Sequence, residues 1–180
     1  MKTLTLLRHA KSGWNDPVAR DFDRPLNDRG HRAAQTMGRW LRDHDLAFDH
    51  VVASPAVRVM ETVAEVARGY GRAIDPAWDR RIYLASGMTL LDVVQSLPDD
   101  ADTALLVGHN PGLEDLAMLL VPDDGSNALR DELETKYPTA TLAMIRLDID
   151  SWADAAAGAG DLVRFVRPRD LDPALGPDEE

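Results

Sequence analysis

The sequence predicts an α/β fold: a single-domain three-layer α/β/α sandwich over residues 1–166, with a mostly parallel sheet and an antiparallel strand near its C-terminal end. Three observations carry this expectation. Apolar runs of strand length alternate with stretches of helical periodicity, the pattern of a sheet covered by helices on both faces. The 180 residues are the usual size of one domain. The last two strand-like runs are separated by a short link containing Gly158 and Gly160. That link is too short for a helical crossover, so the two strands should be antiparallel.

Each element has its own signal. Thr3–Leu7 is a short apolar, β-leaning run. Asn27 reads as an N-cap, followed by Ala33, Met37, Trp40 and Leu41 along one helical stripe. His50–Ala53 is the next strand. Ser54 and Pro55 read as the cap and first turn of a second helix, with Val57, Met60, Val63, Ala64 and Ala67 as its buried side. Gly69–Arg72 should break that helix, and Asp75–Arg81 reads as loop or briefly extended chain. Met88–Leu97 is a third helix, and Pro98-Asp99-Asp100 turns the chain. Thr103–Val107 is an apolar strand, and Gly108–Gly112 a tight connection. Pro111 opens a fourth helix through Leu113, Leu116, Ala117 and Leu120. Ala140–Leu147 and Leu162–Val166 are the last strands. Residues 167–180, rich in Pro, Asp and Glu, read as a flexible acidic tail.

Charge narrows the function classes. The net charge is −11, and all of it falls in residues 101–180, because residues 1–100 balance. Such a surface repels nucleic-acid phosphates and anionic lipid, so no nucleic-acid or membrane partner is expected. The first apolar stretch, Leu4–Leu7, ends at Arg8 and is too short for a signal-peptide core. The longest later run, Leu116–Val121, cannot span a bilayer. The expected compartment is the cytoplasm. The absence of cysteine excludes disulfides, thiolate metal sites and a cysteine nucleophile.

Three motifs occupy the same topological place, the C-terminal end of a strand before a helix, where open α/β sheets bind ligands. They are Arg8-His9-Ala10-Lys11-Ser12, Ser54-Pro55-Ala56-Val57-Arg58 and Val107-Gly108-His109-Asn110-Pro111-Gly112. Each alone has an ordinary reading, as a surface basic pair, a helix start or a turn histidine. Arg58 is unusual even alone, since a cation in the first turn of a helix opposes the helix dipole. Together, two arginines and two histidines would converge in a cationic pocket on an acidic protein. A phosphoryl group is the natural guest: guanidinium forks match phosphate oxygens, and histidine can carry a phosphoryl group covalently. A metal site on His9, His109 and an Asp is disfavoured, because close arginines repel a cation and no helical His pair is present. His31, His44 and His50 read as ordinary surface histidines.

The stretch Leu7–Asn15 resembles the Arg-His-Gly/Ala-x-Ser-x-Trp-Asn signature of the histidine phosphatase superfamily, which includes the cofactor-dependent phosphoglycerate mutases. Arg24-Pro25-Leu26 with Arg29-Gly30, Ser54-Pro55 with Arg58, and Val107–Gly112 match in order and spacing. The short chain, the Lys11-Ser12 pair and Tyr137-Pro138-Thr139-Ala140 are similar to the SixA-type phosphohistidine phosphatase branch. The resemblance implies that His9 is the nucleophile and that Arg8, Arg58 and His109 form the phosphate pocket, with Asn15 near the substrate phosphate. It implies no cofactor and no metal. It also implies a phosphorylated substrate, of which a phosphohistidine-bearing protein is one form.

One departure stands out. Many members place a Glu general acid between the second and third motifs, where this chain reads Trp78-Asp79-Arg80-Arg81. Either Asp79 takes that role or the substrate requires no strong acid, whereas Glu61, one turn after Arg58, reads as the ion-pair partner of Arg58. The expectation is therefore a metal-independent phosphatase working through a phosphohistidine intermediate. The alternatives are a mutase-type phosphotransferase and a non-catalytic phosphate- or phosphopeptide-binding relative.

Overall fold

β1 (Lys2–Arg8) lies inside a six-stranded sheet with β2 (His50–Ala53), β3 (Ala77–Trp78), β4 (Thr103–Gly108), β5 (Leu142–Leu147) and β6 (Gly160–Val166). The spatial order is β3-β2-β4-β1-β5-β6. The first four strands in sequence are mutually parallel, while β5 runs antiparallel to both β1 and β6. This computed structural model describes residues 1–13 and 20–176.

Period-2 alternation sorts the strand side chains between two cores. Leu4 and Leu6 of β1, Ala104 and Leu106 of β4, and Ala143 and Ile145 of β5 face one layer. That layer contains α3 (Gly87–Gln95), α4 (Gly112–Leu120) and α5 (Ala128–Thr135). Leu7, Leu105, Val107, Leu142 and Met144 face α1 (Asp28–Asp43) and α2 (Val57–Tyr70) on the other side. Because β1 and β4 are covered on both faces, they read as continuous apolar runs.

Register brings the motifs together. Arg8 pairs with Gly108, and Ala53 with Val107, so β1, β2 and β4 end level with one another. The Ser54 amide donates to the Val107 carbonyl (3.1 Å), and the His9 amide to the Gly108 carbonyl (3.0 Å).

Several local expectations change. Ser54 does not cap α2; Ala56 occupies the N-cap without a side-chain bond. The buried face of α2 is Val59, Val63, Val66 and Tyr70, while Met60 is exposed. The break expected over Gly69–Arg72 is found there: α2 ends at Tyr70, capped by Gly71 in the left-handed region (φ 77°), with Gly69 still inside the helix. A Cβ on Gly69 would sit 2.1 Å from the Gln35 carbonyl oxygen of α1, and one on Gly38 equally close to that of Val66. The two glycines let the helix backbones touch, a tertiary reason that outweighs their low helix propensity. α5 was not foreseen: Ala128–Thr135 is mostly polar and buries only Arg130 and Leu133.

The flexible-tail expectation fails for residues 167–176. α6 (Pro168–Leu171) packs beside α1, and Leu175 is buried in the second core. Composition hid this because the anchors, Pro168, Leu171 and Leu175, form no recognisable apolar stripe. Residues 177–180 lie outside the described residues. Among the described residues, no helix is long and apolar enough to cross a membrane.

Candidate active site

His9 follows β1 directly and is 8% exposed. Its Nδ1 lies 2.7 Å from the Ala10 carbonyl oxygen. A carbonyl can only accept, so Nδ1 carries the proton and Nε2 keeps its lone pair. The Ala10 amide donates to Thr62 Oγ1 (2.9 Å), which in turn donates to the Arg58 carbonyl (2.6 Å). This ties the His9 loop to the first turns of α2. On the other side, the Ala140 amide donates to the Arg8 and His9 carbonyls (3.1 and 3.0 Å). Ala140 adopts φ 58°, a left-handed conformation costly for an alanine, which these bonds help to hold.

His109 follows β4, and its ring centroid stands 5.3 Å from that of His9. Arg58 Nη2 donates to His109 Nδ1 (3.3 Å), and His109 Nε2 donates to the buried Ser54 hydroxyl (2.8 Å). Ser54, expected as a helix cap, is instead the group that orients this imidazole. Arg8 Nη1 donates to the Tyr137 carbonyl (2.8 Å), which also accepts from Asn110 Nδ2 (3.2 Å). The structure therefore brings Arg8, His9, Arg58 and His109 to one groove of about 510 Å³. Asn15 lies outside the described residues.

Among the described residues, the carboxylate lining this groove is Asp21, which the sequence reading missed. Arg58 donates to its backbone oxygen (2.7 Å) and to Oδ2 (3.1 Å), and the Tyr83 hydroxyl donates to Oδ2 (2.5 Å). Arg24 grips Oδ1 through Nε and Nη2 (3.1 and 3.0 Å), while its Nη1 donates to Ser12 Oγ (2.6 Å). Partial burial alone would raise the Asp21 carboxyl, but Tyr83, Arg58 and Arg24 outweigh it and hold the group at about 2. The available signal was its place three residues before Arg24-Pro25-Leu26; nothing local revealed the contact with Arg58.

Two carboxylate expectations are corrected. Asp79 caps the 3₁₀ turn Arg80–Ile82 and is gripped by the Arg81 guanidinium at 2.7 to 3.1 Å. Those hydrogen bonds keep its pKa below the usual value, and it does not line the groove. Asp79 is thus an ionised capping residue rather than a proton donor to this pocket. Glu61 accepts from the Leu26 amide (2.9 Å) and leaves Arg58 to Asp21. Glu114 occupies an adjoining hollow that shares Arg8 and Asn110, and burial together with Asp115 raises its pKa.

Both site imidazoles are neutral without a ligand. Burial is the largest cause, and neighbouring cations add to it. His9 is held well below its usual value by burial and then by His109, Arg58 and Arg8, against the Ala10 carbonyl. Burial and Arg58 bring His109 to about 3. His109 is thus a neutral ring that accepts from Arg58. Its affinity for a proton rises when a phosphoryl dianion enters.

A pH prediction follows. Both rings bind a proton more readily in the unfolded chain, so stability falls on acidification from 6.5 toward about 3. For the same reason, the acidic limb of kcat/KM for the free enzyme lies below pH 6.5, once corrected for substrate ionisation. Denaturant melts and rate profiles between pH 4 and 8 check both; a limb at 6.5 or above contradicts the neutral-histidine site.

Among the described residues, no three His, Cys, Asp or Glu side chains gather so as to hold a metal ion. The family model of the histidine phosphatase superfamily (branch 1) matches residues 4–117. An uncharacterized protein of Mycobacterium tuberculosis (strain ATCC 25618 / H37Rv), Rv1276c, is 36% identical over 164 residues, covering 91% of this chain and all of that protein. The structure of a candidate phosphohistidine phosphatase SixA from Nakamurella multipartitia superposes with TM-score 0.79 at 34% identity, over 93% of this chain and 96% of that one. Its counterpart from Agrobacterium tumefaciens gives TM-score 0.78 at 28% identity, over 93% and 98%.

Proposed function

We propose that this chain, which belongs to the histidine phosphatase superfamily and to its SixA-type branch, is a metal-independent phosphatase that works through a phosphohistidine on His9. The observation that carries the reading is the His9 tautomer: Nδ1–H bound to the Ala10 carbonyl leaves a lone pair on Nε2, beside Arg58 and His109. In the first step, Nε2 attacks phosphorus, and the bond to the leaving group breaks with its electron pair. In the second, water cleaves the P–N bond, releasing phosphate and restoring His9. Arg8, Arg58 and His109, which gains a proton as the dianion binds, neutralise charge on the equatorial oxygens.

The substrate class follows from the carboxylates. Among the described carboxylates, Asp21, which lines the groove, is ionised, Asp79 is sequestered by Arg81, and Glu114 lies in the adjoining hollow. An alkyl ester needs a proton delivered to its alkoxide, whereas a phenolate or a protonated phosphohistidine leaves without one. Leu84, at the groove and 61% exposed, offers an apolar contact to a bulky substrate. We therefore assign the enzyme to phosphohistidine and aryl phosphate substrates, with a phosphohistidine-bearing protein as the favoured form.

The test measures phosphate release from a phosphohistidine protein, an aryl phosphate and glycerol phosphate in EDTA. The first two should exceed glycerol phosphate in kcat/KM by about 10² or more, the usual worth of a positioned acid. Vanadate should inhibit, and Asp79→Ala should leave the ranking unchanged. Loss of all activity in EDTA with recovery on adding a divalent ion would overturn the mechanism; a preference for the alkyl ester would overturn the substrate class.

A further inference from the structure

A carboxylate in a pocket for a phosphoryl dianion repels the ligand, so the presence of Asp21 in the groove calls for a physical reason. Burial supplies one. The Asp21 side chain is 36% exposed, whereas those of Arg24 and Arg58 are 10% and 3% exposed. Two guanidinium groups covered to that degree need a counter-charge, and Asp21 meets both.

Its contacts divide between the two carboxylate oxygens. Oδ1 accepts from Arg24 Nε and Nη2 (3.1 and 3.0 Å), and Oδ2 accepts from Arg58 Nη2 (3.1 Å) and the Tyr83 hydroxyl (2.5 Å). The Asp21 backbone oxygen takes Arg58 Nη1 (2.7 Å). One residue thus holds both terminal nitrogens of Arg58, which fixes the plane and direction of the fork while Nη2 also reaches His109 Nδ1. The turn that carries Asp21 is itself braced. Phe22 packs edge-on against Tyr83 with ring centroids 5.0 Å apart, and Arg24 Nη1 ties the turn to Ser12 after β1.

Direct proton donation by Asp21 does not fit these surroundings. All four side-chain contacts on its oxygens are donors, which favour the anion, and the group is held at about 2.

We infer that Asp21 is a positioning residue, which locks the Arg58 guanidinium in the orientation that receives the transferring phosphoryl group and acts through Arg58 rather than on the substrate. The inference rests on the phosphatase reading and adds to it a residue that the reaction needs without contact to phosphorus. Repulsion of the dianion is outweighed by a donor that requires no reorganisation in the transition state.

The test is a double-mutant cycle on kcat for an aryl phosphate in EDTA, with wild type, Asp21→Asn, Arg58→Ala and the double variant. An amide of the same shape cannot accept at both positions, so Asp21→Asn should lower kcat by about 10–100-fold, the usual cost of losing a group that orients a functional residue. In the Arg58→Ala background the same substitution should cost at most about threefold, because the group it orients is gone. A general structural role or a direct role on the substrate would carry its full cost into that background. Asp21→Ser repeats the cycle should the asparagine variant fail to fold. A kcat for Asp21→Asn within about threefold of wild type, or a cost undiminished in Arg58→Ala, would overturn the positioning role alone. No phosphate release by wild type would overturn the phosphatase reading and the positioning role with it.

Discussion

His9→Ala should abolish turnover, lowering kcat by on the order of 10⁴ or more, as when a covalent nucleophile is removed. Three features of the structure converge on this side chain. Its Nδ1–H is committed to the Ala10 carbonyl, so the free lone pair is on Nε2. Its pKa is lowered, chiefly by burial, so the ring is neutral and nucleophilic at physiological pH. Its loop is clamped by Thr62 on one side and by the Ala140 amide on the other, which limits the reorganisation needed for attack. Acid-quenched wild type should carry acid-labile phosphate on His9, and His9→Ala should carry none. The variant should fold and still bind vanadate, because Arg8, Arg58 and His109 remain. Wild-type turnover in His9→Ala would refute the nucleophile.

Much of this site was legible because its parts sit at strand ends. Apolar runs located β1, β2 and β4, and each run ends at a residue that meets the groove or lies beside it: Arg8, Ser54 and His109. Once those strands are parallel and in register, convergence is a geometric consequence. What could not be read is what depends on contacts between distant segments. Arg58 and Glu61 are one turn apart, and the sequence suggested a local ion pair. The fold instead brings Asp21, 37 residues upstream of Arg58, onto the guanidinium and gives Glu61 to the Leu26 amide. Asp79 failed for the opposite reason. Its ion-pair partner, Arg81, is two residues away, and a local capping bond captured it before it could reach the groove. The hook over residues 167–176 was hidden because Pro168, Leu171 and Leu175 are too sparse a pattern to stand out against an acidic, proline-rich composition.

The second large effect concerns Arg58, which is 2% exposed and spans three partners. Nη1 reaches the Asp21 carbonyl, while Nη2 serves both Asp21 Oδ2 and His109 Nδ1. Its Nε is buried without a hydrogen-bond partner among the described residues. Arg58→Ala should lower kcat by about 10²–10³, the usual loss for one preorganised transition-state donor. Arg58→Lys should recover only a small part of this, because an ammonium on a flexible stem cannot reproduce a planar fork that meets Asp21 and His109 together. A second readout separates this role from simple structural support. Arg58 is among the groups that depress His109, second only to burial, so removing it should raise the His109 pKa from about 3 toward its usual value. The acidic limb of the rate profile should then move upward in pH, together with the fall in kcat. A titration of the His109 ring by NMR in wild type and Arg58→Ala reads the shift directly. An Arg58→Ala enzyme within tenfold of wild type, with its acidic limb unmoved, would show that Arg58 neither binds the transferring group nor sets the charge state of His109.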